Sequence, residues 1–404
     1  MQTPWDHRYA QRTQRMKGSA IRELLKFTEM PDVISFGGGM PAPDIFPIEE
    51  FRVACDKVLR DHGEQALQYG PTEGYLPLRE MIARFTARFN IDVTPDNILI
   101  TAGSQQALDL IGKIFINRGD NLLVECPTYL GALQAWNAYG AEYIPAKSDS
   151  DGMIISELEA ALRYGPKFIY ALPNFQNPSG VTYSLERRMK LVELADHFGV
   201  PIIEDDPYGQ LRFEGESLPS IVDLDNRIHP QDCFCGNVIY LSTFSKTLAP
   251  GIRLAWVVAP QDVIRKMVMA KQGTDLQSST FAQIVAYEVA RNGFIDKHVL
   301  TIRQVYQERR DIMLEELAKN MPEGVTWTHP LGGLFLWVTL PEYMDTNIIL
   351  KDAVAEKVAF VPGDSFYPYG GGSNSMRLNF SNAKPEKIRE GIQRLSRVVK
   401  KYLK

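Results

Sequence analysis

Between residues 97 and 258 short apolar, β-branched runs alternate with stretches of helical periodicity, and this alternation admits few architectures. The runs Asn97 to Thr101 (NILIT), Asn121 to Glu125 (NLLVE), Lys167 to Ala171 (KFIYA), Pro201 to Asp205 (PIIED), Val238 to Ser242 (VIYLS) and Leu254 to Val258 (LAWVV) read as buried strands. Ser104 to Ile116 puts Leu108, Ile111 and Phe115 on one helical face, and Leu185 to Phe198 carries a similar stripe closed by Gly199. Strands joined by such crossover helices specify an α/β fold with a mostly parallel sheet flanked by helices. After about residue 295 the pattern changes to a long charged helix (Ile302 to Asn320), strand-like runs at Leu334 to Leu340, Ala359 to Val361 and Met376 to Phe380, and a final helix. A smaller α+β domain is expected there. The first 47 residues hold no sheet of their own and are expected to wrap onto that small domain or across a subunit boundary. The expected division is a large domain over 48–295 and a small one built from 1–47 with 296–404.

A chain of 404 residues exceeds what one hydrophobic core usually organises, so a deep, enclosed site is within its reach. The formal net charge of −5 and the lack of a basic stripe argue against a nucleic-acid partner. No run is long and apolar enough to span a bilayer, and the polar N-terminus lacks the apolar core of a signal sequence; no membrane partner and a cytoplasmic setting are the expectation. The four cysteines suit a reducing compartment. Cys233 and Cys235 flank a single residue, which is not a zinc-knuckle spacing, so no metal is expected.

The chemistry concentrates where strands end. In YLSTFSKTLAPGIRLAW (240–256) a strand runs into a hydroxyl-rich turn, Lys246, a Pro-Gly break and Arg253. Open α/β sheets bind ligands at such strand ends, and a lysine whose surroundings lower its pKa forms a Schiff base with an aldehyde cofactor. Thr243, Ser245 and Arg253 supply hydroxyl and guanidinium donors for a phosphate dianion. In PIIEDDPYGQLRF (201–213) Asp205 closes a buried strand, where a carboxylate needs a cationic partner. A protonated pyridine nitrogen is one, and Tyr208 is placed to donate to a phenolic oxygen on the same ring. In TAGSQQALDL (101–110) a strand turns into a helix at Gly103, Ser104 and Gln105, a backbone arrangement that binds phosphate. Asn177, before Pro178 in PNFQNPSG (173–180), is expected on an extended, outward-pointing backbone, offering an amide to the ring oxygen or to a substrate carboxylate. Tyr129, after strand NLLVE, is an aromatic to stack on the ring or to pack in the core. Taken singly, each has a plain alternative as a solvated lysine, a helix cap or a turn.

Together, and in this order over nearly the whole chain, the lysine turn, DxxY, NPSG and GSQQAL resemble pyridoxal phosphate (PLP)-dependent class I/II aminotransferases of fold type I. SAIRELLK, SFGGGMPAP, LQYGPTEGY and FVPGDSFYPYGGGSNSMRLNF look like the 2-aminoadipate branch, with its relatives acting on kynurenine, aromatic and branched-chain amino acids. The resemblance implies a seven-stranded, mostly parallel sheet in the large domain and an amino transfer to a 2-oxo acid, 2-oxoglutarate, in ping-pong fashion. It implies Lys246 as the Schiff-base lysine and general base, Asp205 at the ring nitrogen, and Tyr208 and Asn177 at the ring oxygen. Gly103, Ser104, Gln105, Thr243, Ser245 and Arg253 then surround the phosphate. Thr243 stands where serine is frequent in the family and keeps the hydroxyl. Tyr69 is implied to reach the phosphate of a neighbouring subunit, which requires a homodimer with shared sites. Arg377 is implied to grip the substrate α-carboxylate, with Gly38 and Gly39 lying over the substrate and Arg22 meeting the distal carboxylate of acidic donors. Arg22 also reads as a solvated helix residue. A β-eliminating carbon–sulfur lyase shares this cofactor cradle, and a transcription regulator built on an aminotransferase-like domain is a further alternative. About 90 residues precede the NILIT strand, and they match aminotransferase segments rather than a basic helix-turn-helix.

Overall fold

A computed structural model describes residues 5, 7–16, 18, 32–88, 90, 93–228 and 234–404. Its strands in chain order are β1 (Ile34–Ser35), β2 (Ile98–Thr101), β3 (Asn121–Cys126), β4 (Glu142–Asp149), β5 (Gly152–Met153), β6 (Ile169–Ala171) and β7 (Ile202–Asp205). They continue as β8 (Val238–Thr243), β9 (Ala255–Val258), β10 (Thr326–Trp327), β11 (Phe335–Thr339), β12 (Val358–Ala359), β13 (Val361–Pro362) and β14 (Ser375–Asn379). The main sheet runs β2-β9-β8-β7-β6-β3-β4-β5. Strands β4, β3, β6, β7 and β8 are parallel, whereas β9 is antiparallel to both of its neighbours. The seven-stranded, mostly parallel sheet is thus present, lengthened by the two-residue β5 folding back on β4.

All six strands read from the sequence are in this sheet, within a residue or two at each end. β4 escapes such a reading because it carries Pro145, Lys147 and Ser148 among few apolar residues. A proline-bearing, half-exposed run is tolerated at the rim of a sheet, and β4 is covered on its outer side only by β5 at Ser148 and Asp149.

Side-chain alternation divides the central strands between two cores. Val124, Tyr170, Ile203, Leu241 and Val257 face one core, which continues into Leu336, Met376 and Leu378 of the four-stranded antiparallel sheet β10-β11-β14-β13. Leu123, Ile169, Ile202, Tyr240 and Trp256 face the other, against helices Ile48–Leu67 and Thr280–Ala290. In β7 this alternation sends Ile203 and Asp205 to the first face and Glu204 to the second. Glu204 caps helix Ile221–Ile228, accepting the backbone N–H of Ile221 at 2.9 Å and of Val222 at 2.8 Å. Burial, with Asp206 adding to it, raises the Glu204 carboxyl to about 7 against those two bonds. β1 pairs in parallel with β12, Ile34 opposite Val358. Among the described residues no helix is long and apolar enough to cross a membrane.

The loop after β6 is held from below by Arg188, which is fully buried. It donates to the carbonyls of Pro173 (3.0 Å), Tyr183 (3.1 Å) and Pro219 (2.9 Å) and to Asn174 Oδ1 (2.6 Å). Removing the guanidinium strands four buried acceptors at once. Arg188→Met is expected to cost about 3 kcal/mol of stability, read as a lower denaturation midpoint with retained secondary structure by circular dichroism.

Candidate active site

Strand ends from both sheets meet at a cavity of about 270 Å³. Its walls include Gly39, Ser104, Gln105, Tyr129, Asn177, Asp205, Tyr208, Thr243, Ser245, Lys246, Arg253 and Arg377, so most of the residues singled out from the sequence converge here. Gly103 lies directly behind, at the start of helix Ser104–Phe115. Gly38 is buried beside Gly39 without lining the cavity. Tyr69 is 77% exposed and lies outside the walls of this chain's cavity. Arg22 falls outside the described residues.

Lys246 follows β8 and directs its amine inward, donating to the Gly39 carbonyl at 2.8 Å. Enclosure by the protein lowers its pKa to about 8, helped by the nearby Arg377 and Arg253 guanidiniums. Asp205 at the end of β7 is buried. One carboxylate oxygen, Oδ2, accepts from the Tyr170 hydroxyl at 2.8 Å, while Oδ1 has no partner. Burial raises this carboxyl to about 7, opposed by the tyrosine bond. Such a group is short of one cation.

The phosphate side is built from a turn and a helix start. Gly103 adopts φ 89°, and a Cβ there would run into the Arg253 guanidinium, so only glycine lets the two approach. Arg253 itself holds a left-handed φ of 52°, tied by Nη1 to the Pro250 carbonyl at 3.1 Å. The Thr243 hydroxyl accepts the Ser245 N–H at 3.1 Å and sits 2.9 Å from Ser245 Oγ. Ser104 Oγ is buried without a partner, and Gln105 is anchored by Nε2 to the Gly131 carbonyl at 2.8 Å. Hydroxyls, backbone amides at a helix start and a guanidinium are the donors a phosphate dianion takes.

Arg377 projects from β14 and is 1% exposed. Its Nη1 donates to Asn177 Oδ1 and its Nη2 to the Gly37 carbonyl, both at 2.7 Å, and Nε is unpartnered. The guanidinium lies 4.2 Å from the Phe335 ring centroid and 5.1 Å from that of Phe366. Burial lowers its pKa to about 10, so it stays cationic at neutral pH. Asn177 lines the cavity and is 4% exposed, its peptide to Pro178 is cis, and its amide oxygen accepts from Arg377 Nη1. Sequence reasoning passed over Leu172, Pro207, Pro250 and Phe335 in the walls, and Gly37 as an acceptor. None carries a polar signal; only the Gly37-Gly38-Gly39 run marks a place where backbone comes close.

A lysine of lowered pKa, a buried acid with one free oxygen and a hydroxyl-rich helix start around one cavity fit the aldehyde, ring nitrogen and phosphate of PLP. The class so defined is a PLP-dependent transferase of fold type I. Comparison with known proteins agrees: the aminotransferase class I and II family matches residues 31–395, and the chain belongs to that family. It is 47% identical to aromatic-amino-acid aminotransferase 1 of Thermococcus litoralis over 396 residues, covering 96% of this chain and 93% of that one. The α-aminoadipate aminotransferase of Thermus thermophilus, solved with N-(5′-phosphopyridoxyl)-L-leucine, superposes with a TM-score of 0.92 at 40% identity and 99% coverage of both chains. The kynurenine aminotransferase of Pyrococcus horikoshii gives 0.93 at 45% identity, again over 99% of each chain. The protein is a PLP-dependent aminotransferase.

The close approach at Gly103 yields a test. Gly103→Ala is expected to weaken PLP binding by at least about tenfold in fluorescence titrations of the apoprotein, and the strained backbone costs the apoprotein about 1–3 kcal/mol, read as a lower thermal midpoint.

Proposed function

We propose that this enzyme takes the amino group of an aromatic, 2-aminoadipate-like or branched-chain L-amino acid and delivers it to 2-oxoglutarate in ping-pong turnover. The names of relatives at 40–47% identity support the aromatic and 2-aminoadipate donors, and the leucine adduct in the Thermus thermophilus structure supports the branched-chain one. The observation that carries the reading is the lowered-pKa amine of Lys246 facing the same cavity as the unpartnered Oδ1 of Asp205.

When bound, PLP supplies an aldehyde that condenses with amines and a protonated ring that takes up the electrons left at the substrate Cα. Lys246 would hold the cofactor, and its amine, drawn toward the neutral form by its lowered pKa, is placed to take the proton from the substrate Cα. Asp205 would keep the ring nitrogen protonated, which would supply the cation that Oδ1 lacks. Tyr208 and Asn177 would attend the ring oxygen, and Tyr129 would cover the ring face. Gly103, Ser104, Gln105, Thr243, Ser245 and Arg253 would hold the phosphate and keep the ring from turning, so that the reacting Cα–H bond can stand perpendicular to the ring, along its π system. Arg377 binds the substrate α-carboxylate from its place between two aromatic rings, with Gly38 and Gly39 over the substrate and Arg22 set for a distal carboxylate.

We place these sites in a cytoplasmic homodimer. Tyr69, far more exposed than a tyrosine ordinarily is and away from its own cavity, suits a reach toward a partner's phosphate. The free thiols of Cys55 and Cys126 suit a reducing compartment. The division into a large domain (48–295) and a small domain (1–47 with 296–404) accords with β1 pairing to β12 rather than to the main sheet.

Lys246→Ala is expected to lose both the absorbance of lysine-bound cofactor and transamination; a surviving band would refute the lysine's role. Because only the neutral amine attacks an aldehyde, cofactor capture by the apoprotein should speed up as pH rises toward about 8 and level off above it. Stopped-flow absorbance across that interval measures this. A half-reaction screen over phenylalanine, tyrosine, kynurenine, 2-aminoadipate, glutamate and leucine should rank the donors. Arg22→Ala is expected to slow the acidic donors and spare leucine; a uniform loss would remove Arg22 from the substrate site.

A further inference from the structure

Behind the cavity wall, on the side away from substrate, stands Tyr170 of β6. It is fully buried, lies outside the cavity lining, and was not among the residues the sequence pointed to. In the ladder it pairs with Val124 on one side and Ile203 on the other, which puts its side chain on the same sheet face as Asp205. Its ring meets the edge of Trp136 at a centroid distance of 5.1 Å and an interplanar angle of 87°. Trp136 is itself pinned, donating Nε1–H to the Leu108 carbonyl at 2.9 Å and packing on Phe168 at 5.1 Å. The hydroxyl therefore has one place to go, and it donates to Asp205 Oδ2 at 2.8 Å.

We propose that Tyr170 is the positioning residue of Asp205, binding one carboxylate oxygen so that the other, Oδ1, is held toward the cofactor's ring nitrogen. This rests on the reading of Asp205 as that nitrogen's partner. A carboxylate at a strand end rotates about its terminal bond over a broad, two-fold well. One fixed donor from the rear, with no other hydrogen-bond partner on either oxygen among the described residues, removes that freedom and leaves a single acceptor for the ring. Burial, then the Asp205 charge, hold the tyrosine pKa well above its ordinary value, so the hydroxyl keeps its proton and remains a donor at every working pH. The bond also draws down the proton affinity of a carboxyl that burial pushes up. Tyr170 does not line the cavity, so its effect there runs through Asp205.

The test is a double-mutant cycle on the holoenzyme with Tyr170→Phe, Asp205→Asn and both together, reading half-reaction rate, donor affinity and the ¹⁵N resonance of ring-labelled PLP. Phenylalanine keeps the packing on Trp136. Y170F is expected to slow the half-reaction by roughly tenfold, the fold-change for one hydrogen bond to a charged group. Donor affinity should be little changed, and the ring-nitrogen resonance should move from its wild-type position. In the D205N background the tyrosine change should add nothing. Incorporating 3-fluorotyrosine at position 170, which keeps the donor, should restore rate and resonance, separating lost positioning from lost packing. A Y170F enzyme with wild-type rate and resonance, beside an impaired D205N, overturns the proposal alone. An equal further loss from Y170F on top of D205N also overturns it. A D205N enzyme indistinguishable from wild type overturns both the proposal and the reading of Asp205 beneath it.

Discussion

One guanidinium ties together three distant parts of the chain beside the cavity. Arg377 comes from the small antiparallel sheet, Asn177 from the loop after a central strand of the large sheet, and Gly37 from the segment before the first long helix. Taking an arginine out of water is costly, and here the cost is offset by two short hydrogen bonds and by two aromatic faces at 4.2 and 5.1 Å. A lysine could not hold both acceptors in one plane while lying flat on Phe335. With its Nε still unpartnered, the group retains a donor direction beyond the two that serve the fold. The same side chain thus joins the two sheets and offers a cation to whatever enters.

The fold was largely legible because its central strands are buried on both faces, and such strands announce themselves as unbroken apolar runs. KFIYA and PIIED were readable as strands with functional residues at their ends, and the structure puts Asp205 at the last position of β7. The helix from Leu185 ended at Gly199 as read, with that glycine at a left-handed φ of 65°. What stayed hidden was of two kinds. β4, at the rim, is half exposed and carries Pro145, so it lacks the apolar signature. β12 and β13, read as one run, are two two-residue strands pairing with different partners, because Phe360 between them breaks the ladder.

The site divided in the same way. Residues whose chemistry is unusual for their place, such as a lysine in a hydroxyl-rich turn or acids closing an apolar strand, could be picked out once several were read together. Residues that matter through contact alone could not. Phe335 is one more apolar residue in an apolar run until it lies over Arg377, and Tyr170 is a strand aromatic until its hydroxyl is seen on Asp205. Asn177 was placed in the site for its amide, yet its oxygen is engaged by an arginine two hundred positions away in sequence.

Glu204 and Asp205 are neighbours in sequence with opposite destinations. One satisfies the two leading amides of a helix on one face of the sheet; the other, turned through the sheet, looks into the cavity. Because strand side chains alternate with a period of two, a one-residue slip of β7 would exchange them, sending the cap into the cavity and burying the cavity's acid against the helix. Insertions and deletions of a single residue should therefore be tolerated in the exposed turns of this protein and purged from the stretch between Pro201 and Tyr208. A stretch of that kind behaves as a ruler: its length is under constraint as strictly as the identities of the residues it carries.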